Sequence, residues 1–123
     1  MVAVKNILVV DDSESIRELL AMTLDSAGFK ITKAEQGADA LLKLEKQRFN
    51  LIVTDLHMPE MDGITLIKEV RKTDSHKFVP ILLVTTENHN DKKIEAREAG
   101  ATGWIVKPFQ SEKLIQVVNK LMR

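Results

Sequence analysis

The chain has no cysteine. That rules out a disulfide framework and a thiolate zinc site, and it is compatible with a reducing compartment. Neither charge is in surplus. Its 18 basic and 18 acidic residues leave a formal net charge of zero, which argues against a bulk electrostatic binder of nucleic acid or of a membrane surface. Long apolar runs are missing too. The N-terminal MVAVKNILVVDD is broken by Lys5 and Asn6 and closes on two acids, so it is too short to span a bilayer and lacks the order of a signal peptide. Glycine is scarce, and the first is Gly28. The first strand-to-helix turn therefore has no glycine to cradle phosphates, and a P-loop nucleotide switch is all but excluded. No repeat, linker or low-complexity segment interrupts the 123 residues, which suffice for one domain with one core over residues 1–123. A soluble cytoplasmic protein is expected.

What is present is an alternation of short apolar runs and helix-like stretches. NILVV (6–10) reads as a buried strand. The helix after it is capped by Ser13, places Ile16, Leu19, Leu20 and Leu24 on one face, and stops at Gly28. FKITKA alternates apolar and polar, like a half-buried or an edge strand, and GADALLKLEKQ puts Ala38, Leu41 and Leu44 at helical spacing. LIVTD is a third strand, followed by a short helix with Ile64, Ile67 and Val70 inward. VPILLVTT is a fourth strand with Pro80 at its start. DKKIEAREAG is a weakly amphipathic helix ending at Gly100, with Ile94 its main apolar anchor. GWIVKP is a fifth strand. The last helix has Ser111 as cap and Leu114, Val117, Val118 and Leu121 inward. The order is βα five times. Strands this apolar want helices on both faces, so a doubly wound (βα)5 α/β fold with a five-stranded parallel sheet is expected.

In such sheets, sites form beyond the carboxyl ends of the strands. Strand one ends in Asp11–Asp12, strand three in Asp55, strand four in Thr85–Thr86–Glu87, and strand five in Lys107–Pro108. Each alone has an ordinary reading. Asp12 or Ser13 can be a helix cap, Thr85 can satisfy its hydroxyl locally, and Lys107 can be solvated. Together, three carboxylates on one edge need a counter-charge. Hard oxygen ligands suit Mg²⁺, and Lys107 adds a second cation. A carboxylate beside such cations can serve as a nucleophile toward phosphorus, in a transfer that needs mostly positioning and charge neutralisation. Asp55 is the candidate acceptor.

The segments ILVVDDS, IVTDLHMPEMDG, ILLVTTE and GATGWIVKPF closely resemble the receiver domain of two-component response regulators. The likeness runs the whole chain and is nearest to the stand-alone, CheY-like chemotaxis type, which has a flavodoxin-like fold. The resemblance implies that Asp55 is phosphorylated by a histidine kinase. It implies that Asp11, Asp12 and Asp55 hold Mg²⁺, one of the first two mainly through water, with the backbone carbonyl of His57 as a further ligand and Mn²⁺ able to substitute. Thr85 is then the switch hydroxyl, Lys107 binds the phosphoryl group, and a cis bond precedes Pro108. Thr86 and Glu87 flank the site. Trp104 stands where the familiar chemotaxis protein has a switch tyrosine, and His57 where it has asparagine. Output goes to a partner protein through the face of the fourth helix, fifth strand and fifth helix. No nucleic acid, membrane insertion or catalytic activity beyond its own phosphorylation and dephosphorylation is expected, and the protein should be a monomer.

Two other functions are set beside this one. A phosphorelay intermediate would pass the phosphoryl group onward. An aspartate-nucleophile phosphatase of the haloacid dehalogenase type wants a second Asp two residues after the nucleophile, but His57 follows Asp55 and Ser13 follows Asp11. Among the remaining residues, His76 and His89 fall in polar loops and should be solvated. Met58, Pro59, Met61, Asp62 and Gly63 shape the turn beside Asp55, with Gly63 able to take a positive φ. Trp104 is either a plain core residue or a half-exposed, mobile one on an edge strand.

Overall fold

A computed structural model describes residues 3–123; Met1 and Val2, the start of the N-terminal run, lie outside the described residues. The elements alternate in chain order: β1 (Asn6–Val10), α1 (Glu14–Ser26), β2 (Lys30–Ala34), α2 (Gly37–Lys46), β3 (Leu51–Thr54), α3 (Gly63–Arg71), β4 (Ile81–Thr85), α4 (Asn90–Ala99), β5 (Gly103–Val106) and α5 (Ser111–Leu121). The five strands form one parallel sheet in the order β2-β1-β3-β4-β5. This is the doubly wound (βα)5 arrangement that the strand pattern predicts.

Strand residues alternate between two cores. Ile7, Val9, Leu51, Val53, Leu82 and Val84 pack with α1 and α5 through Leu20, Leu24, Leu114 and Val118. Leu8, Val10, Ile52, Ile81 and Leu83 pack on the opposite face with α2, α3 and α4. Burial on both faces explains why β1, β3 and β4 read as unbroken apolar runs.

The helices depart from their expected faces in instructive ways. Ser13 caps α1 as expected, its Oγ accepting from the Ile16 N–H at 3.4 Å. Yet Leu19 is exposed, and the inward stripe is Arg17, Leu20, Ala21 and Leu24. Arg17 occupies a core position because its guanidinium donates to the Asp11 carbonyl at 2.8 Å. In α2 the inward residues are Gly37, Ala40 and Leu44, and Ala38 faces out. In α5, Gln110 holds the cap position without a side-chain bond, Ser111 is the first helical residue, and Leu114 and Val118 are buried. Ile94 does not anchor α4, because it is 53% exposed. The buried residue of that helix is Ala96. A fully buried Leu, Ile or Val contributes about 1.5–3 kcal/mol. Helix α3 has four such residues, Ile64, Leu66, Ile67 and Val70, whereas α4 has none, so α4 is the most weakly held helix.

His76 lies in the α3–β4 loop but is not solvated; only 2% of it is exposed. Its Nε2 accepts the Phe49 N–H at 3.1 Å. The ring proton therefore sits on Nδ1, 2.8 Å from Ser75 Oγ. Burial, with Arg48 as a second cause, lowers the His76 pKa below its ordinary 6.5. Below that pH the unfolded chain binds a proton that the folded chain resists, so stability must fall as pH drops through this range. His76→Gln keeps an acceptor and loses the titration, so urea unfolding between pH 7 and pH 5 should show a shallower loss of stability than in the parent. His76→Leu leaves the Phe49 N–H unpaired and should cost about 1–3 kcal/mol.

Candidate functional site

The strand order reverses between β1 and β3, and the crevice beyond their carboxyl ends is where open α/β sheets bind. Backbone hydrogen bonds continue one residue past the strand ends. Asp11 N–H donates to Ala34 O at 3.2 Å, Asp55 N–H to Val10 O at 3.1 Å, and Lys107 N–H to Thr85 O at 2.8 Å. Three charged side chains thus leave the sheet edge from fixed backbone positions.

They meet. Lys107 Nζ donates to Asp11 Oδ2 at 3.0 Å and to Asp55 Oδ2 at 3.2 Å. Asp11 is fully buried, with its other oxygen accepting the Ser13 N–H at 2.9 Å. Burial pushes its carboxyl above the ordinary value, against the downward pull of the Ser13 N–H and Lys107. Asp55 Oδ1 accepts from Leu56 N–H at 2.7 Å and from His57 N–H at 3.4 Å. Asp12 is exposed. One oxygen from each of Asp11, Asp12 and Asp55 lies within 4.8 Å of the others. An all-oxygen, acidic donor set of this kind fits Mg²⁺, which prefers hard oxygen ligands and retains several waters.

The remaining expected residues ring this cluster. Thr85 is fully buried, and its Oγ1 accepts the Glu87 N–H at 3.3 Å. Thr86 is exposed. Pro108 follows a cis bond from Lys107, as the resemblance implied. The His57 ring turns to Glu87, with Nε2 3.1 Å from Oε1. The other Glu87 oxygen lies 2.6 Å from His89 Nδ1. His89, through its ring and backbone N–H, and then His57 hold the Glu87 carboxyl down to about 2. Trp104 is half-buried; its Nε1 donates to the Glu87 carbonyl at 3.2 Å. Lys93 Nζ lies 6.0 Å from its ring centroid. A cleft of about 120 Å³ lies between α4 and β5, lined by Lys93, Ala96, Arg97, Gly103 and Trp104 among others.

Gly63 does not take a positive φ. In the β3–α3 loop that conformation belongs to Glu60, at φ 66. Gly63 is needed for space: a Cβ there would collide with the Asp55 carbonyl oxygen and come within 2.9 Å of Leu56 Cα. Its N–H also closes the loop onto Leu56 O at 2.7 Å. Two structural residues have no apolar signal in the sequence. Arg17 braces Asp11 from below. Arg71 spends its guanidinium on the carbonyls of Gly100, Val79 and Lys77.

A parallel (βα)5 sheet carrying an acidic cluster and a bridging lysine at its reversal point is a receiver domain. The chain belongs to the response regulator receiver domain family, which it matches over residues 7–119. It is 40% identical to the chemotaxis protein CheY-3 of Vibrio cholerae over 94% of this chain and 89% of that one. Among solved structures it is similar to the chemotaxis protein CheY4 of Vibrio cholerae, with 44% identity, 97% and 99% of the two chains covered, and a TM-score of 0.94. It is also similar to the response regulator protein TrrA of Thermotoga maritima in complex with Mg(2+)-BeF, with 37% identity, 95% and 98% covered, and a TM-score of 0.85. The chain is therefore a signalling module of the CheY type. Its family implies a histidine kinase as phosphodonor and a downstream partner. Among the described residues no helix is long and apolar enough to cross a membrane.

Gly63→Ala should cost about 1–3 kcal/mol by urea unfolding, because backbone atoms of Asp55 and Leu56 have to move to admit the methyl group. A variant as stable as the parent would contradict the close approach.

Proposed function

We propose that Asp55 accepts a phosphoryl group from a histidine kinase and that the modified chain binds a partner protein in chemotaxis-type signalling. The observation that carries this reading is the Lys107 ammonium between the carboxylates of Asp55 and Asp11. Asp55 Oδ1 is occupied by backbone N–H groups, and Oδ2 is the nucleophile. It forms a bond to phosphorus while the bond from phosphorus to the kinase imidazole breaks, and that electron pair stays on the imidazole nitrogen. Lys107 then shifts from the carboxylate to the phosphoryl oxygens, and Thr85 donates its hydroxyl to them.

Asp11, Asp12 and Asp55 with the His57 carbonyl would hold Mg²⁺, and Mn²⁺ would substitute. The bound ion supplies neutralisation of charge on the phosphoryl oxygens. That TrrA was solved with Mg(2+)-BeF supports this assignment. The chain turns over no substrate besides its own phosphorylation and dephosphorylation, and it acts as a cytoplasmic monomer.

Acetyl phosphate with Mg²⁺ should add one phosphoryl group to the parent. Asp55→Asn should not be labelled at the parent rate, and Asp12→Ala should need far more Mg²⁺. Full labelling of Asp55→Asn at the parent rate would overturn the assignment.

The switch follows from how Thr85, Glu87 and Trp104 are linked. A phosphoryl group with several strong acceptors draws the Thr85 hydroxyl inward. The Glu87 N–H loses its acceptor, and the Glu87 carbonyl that holds the indole shifts with it. Trp104 turns into the space behind β4, and the weakly held α4 adjusts. This selects a conformation already in equilibrium, and the output surface is the α4–β5–α5 face. Trp104 is the only tryptophan, so its fluorescence reports this event alone. Beryllofluoride with Mg²⁺ should reduce its quenching by acrylamide relative to Mg²⁺ alone. Thr85→Ala should abolish that change while Asp55 is still labelled. Unchanged quenching in the parent, with beryllofluoride binding confirmed separately, would mean that Trp104 is a static packing residue.

A further inference from the structure

At the end of the sheet opposite Asp55, where the chain enters β4, one aromatic ring is left in water. Phe78 is 89% exposed, whereas the other three phenylalanines and Trp104 are at least partly buried. The α3–β4 loop that displays it is held in place. Arg71 donates to the carbonyls on both sides of Phe78, to Lys77 O at 3.1 Å and to Val79 O at 2.7 Å. His76 ties the same loop to the Phe49 N–H, and Val79 is buried. The ring borders two open grooves. One, of about 390 Å³, runs past Arg48, Asn50, Lys77 and Pro80. The other, of about 380 Å³, lies between Arg71 and Lys77. Among the described residues no carboxylate forms an ion pair with Arg48, Arg71 or Lys77. The one acid lining either groove is Asp74. The surface is aromatic at its centre and positive around it.

We propose that this surface docks an acidic segment of a partner protein, anchored by one large apolar side chain of that segment. An aromatic ring on a fixed loop loses little conformational freedom when it is covered, which is what an interface anchor requires. The segment's apolar side chain packs against Phe78 in a groove, and its carboxylates meet Arg48 and Lys77, which have no acidic partner of their own. A second copy of this chain fits less well. A two-fold contact through Phe78 sets the same patch against itself, cations facing cations. A bilayer fits less well too, because one ring offers little apolar area to insert. Docking at this end leaves the Asp55 crevice open, so the segment can stay bound while Asp55 reacts.

The test is selection from a displayed library of random dodecapeptides on the full, tag-free chain, with the Phe78→Ala chain as counter-target. Selected peptides should carry more Asp and Glu than Lys and Arg, with at least one large apolar residue. Synthetic copies should shift the parent's amide resonances at residues 48–50 and 74–80. Phe78→Ala should weaken their binding at least about tenfold, the scale of losing an interface anchor. Lys77→Glu, which keeps the ring, should weaken it as well. Recovery of no peptide that tells the two chains apart, selection of neutral or basic peptides, or unchanged affinity in either variant would overturn the proposal. So would self-association of the parent that Phe78→Ala abolishes, or Phe78-dependent binding to phosphatidylglycerol vesicles, which would seat a second copy or a membrane on this surface. The readout is binding and does not depend on phosphorylation of Asp55.

Discussion

Two buried carboxylates that face each other across a strand end are tolerable only with a cation between them. Lys107 is that cation, 3.0 Å from Asp11 and 3.2 Å from Asp55. Much of the architecture serves this contact. The lysine comes from the far edge of the sheet, and β4 stands between its strand and β3. Its reach is set by the backbone bond from its N–H to Thr85 O, which carries the β4–β5 pairing one residue beyond the strands. The same extension fixes Asp11 against β2 and Asp55 against β1. Arg17 adds support from the helix side by holding the Asp11 carbonyl. Removing one partner would leave the others buried and uncompensated, which is costlier than never having buried them.

Strand ends were the legible part of this molecule. Unbroken apolar runs announce strands buried on both faces, and the charged residue closing each run marks the edge where a parallel sheet gathers its chemistry. Asp11, Asp12, Asp55 and Lys107 could be grouped on that logic alone. Helix faces were harder. An apolar stripe on α1 points to Leu19, whereas the true stripe contains Arg17, whose burial depends on a backbone carbonyl that no periodicity reveals. His76 sits among polar residues, and its burial rests on one N–H from Phe49, distant in the chain. Gly63 looked like a conformational device but is a steric one, because the Asp55 and Leu56 backbone passes against its α-carbon. The weak amphipathy of α4 was legible, but Ile94, its chief expected anchor, faces solvent, and the helix buries only Ala96.

That weak anchoring gives the molecule an uneven stability with functional use. Helix α3 is stapled by four large apolar side chains, capped by Asp62, and tied onward by Arg71. Helix α4 rests on an alanine beside a small cleft, next to a tryptophan whose position depends on the backbone of Glu87. Elements with few buried apolar contacts open at low cost. In the proposed scheme, a change of charge at Asp55 reaches Thr85 first, then Glu87, and through it both the indole and the start of α4; on that reading the rigid half holds the chemistry and the loose half reports it.

The chemical identity of the acceptor decides whether this scheme stands. An acyl phosphate is reduced by borohydride to the alcohol, so a phosphorylated aspartate becomes homoserine and can be located by peptide mass spectrometry. Treatment of the chain with acetyl phosphate and Mg²⁺, then borohydride, should place homoserine at position 55 and nowhere else. Homoserine at Asp11 or Asp12, or an unreduced Asp55 in protein shown to carry the phosphoryl group, would contradict it.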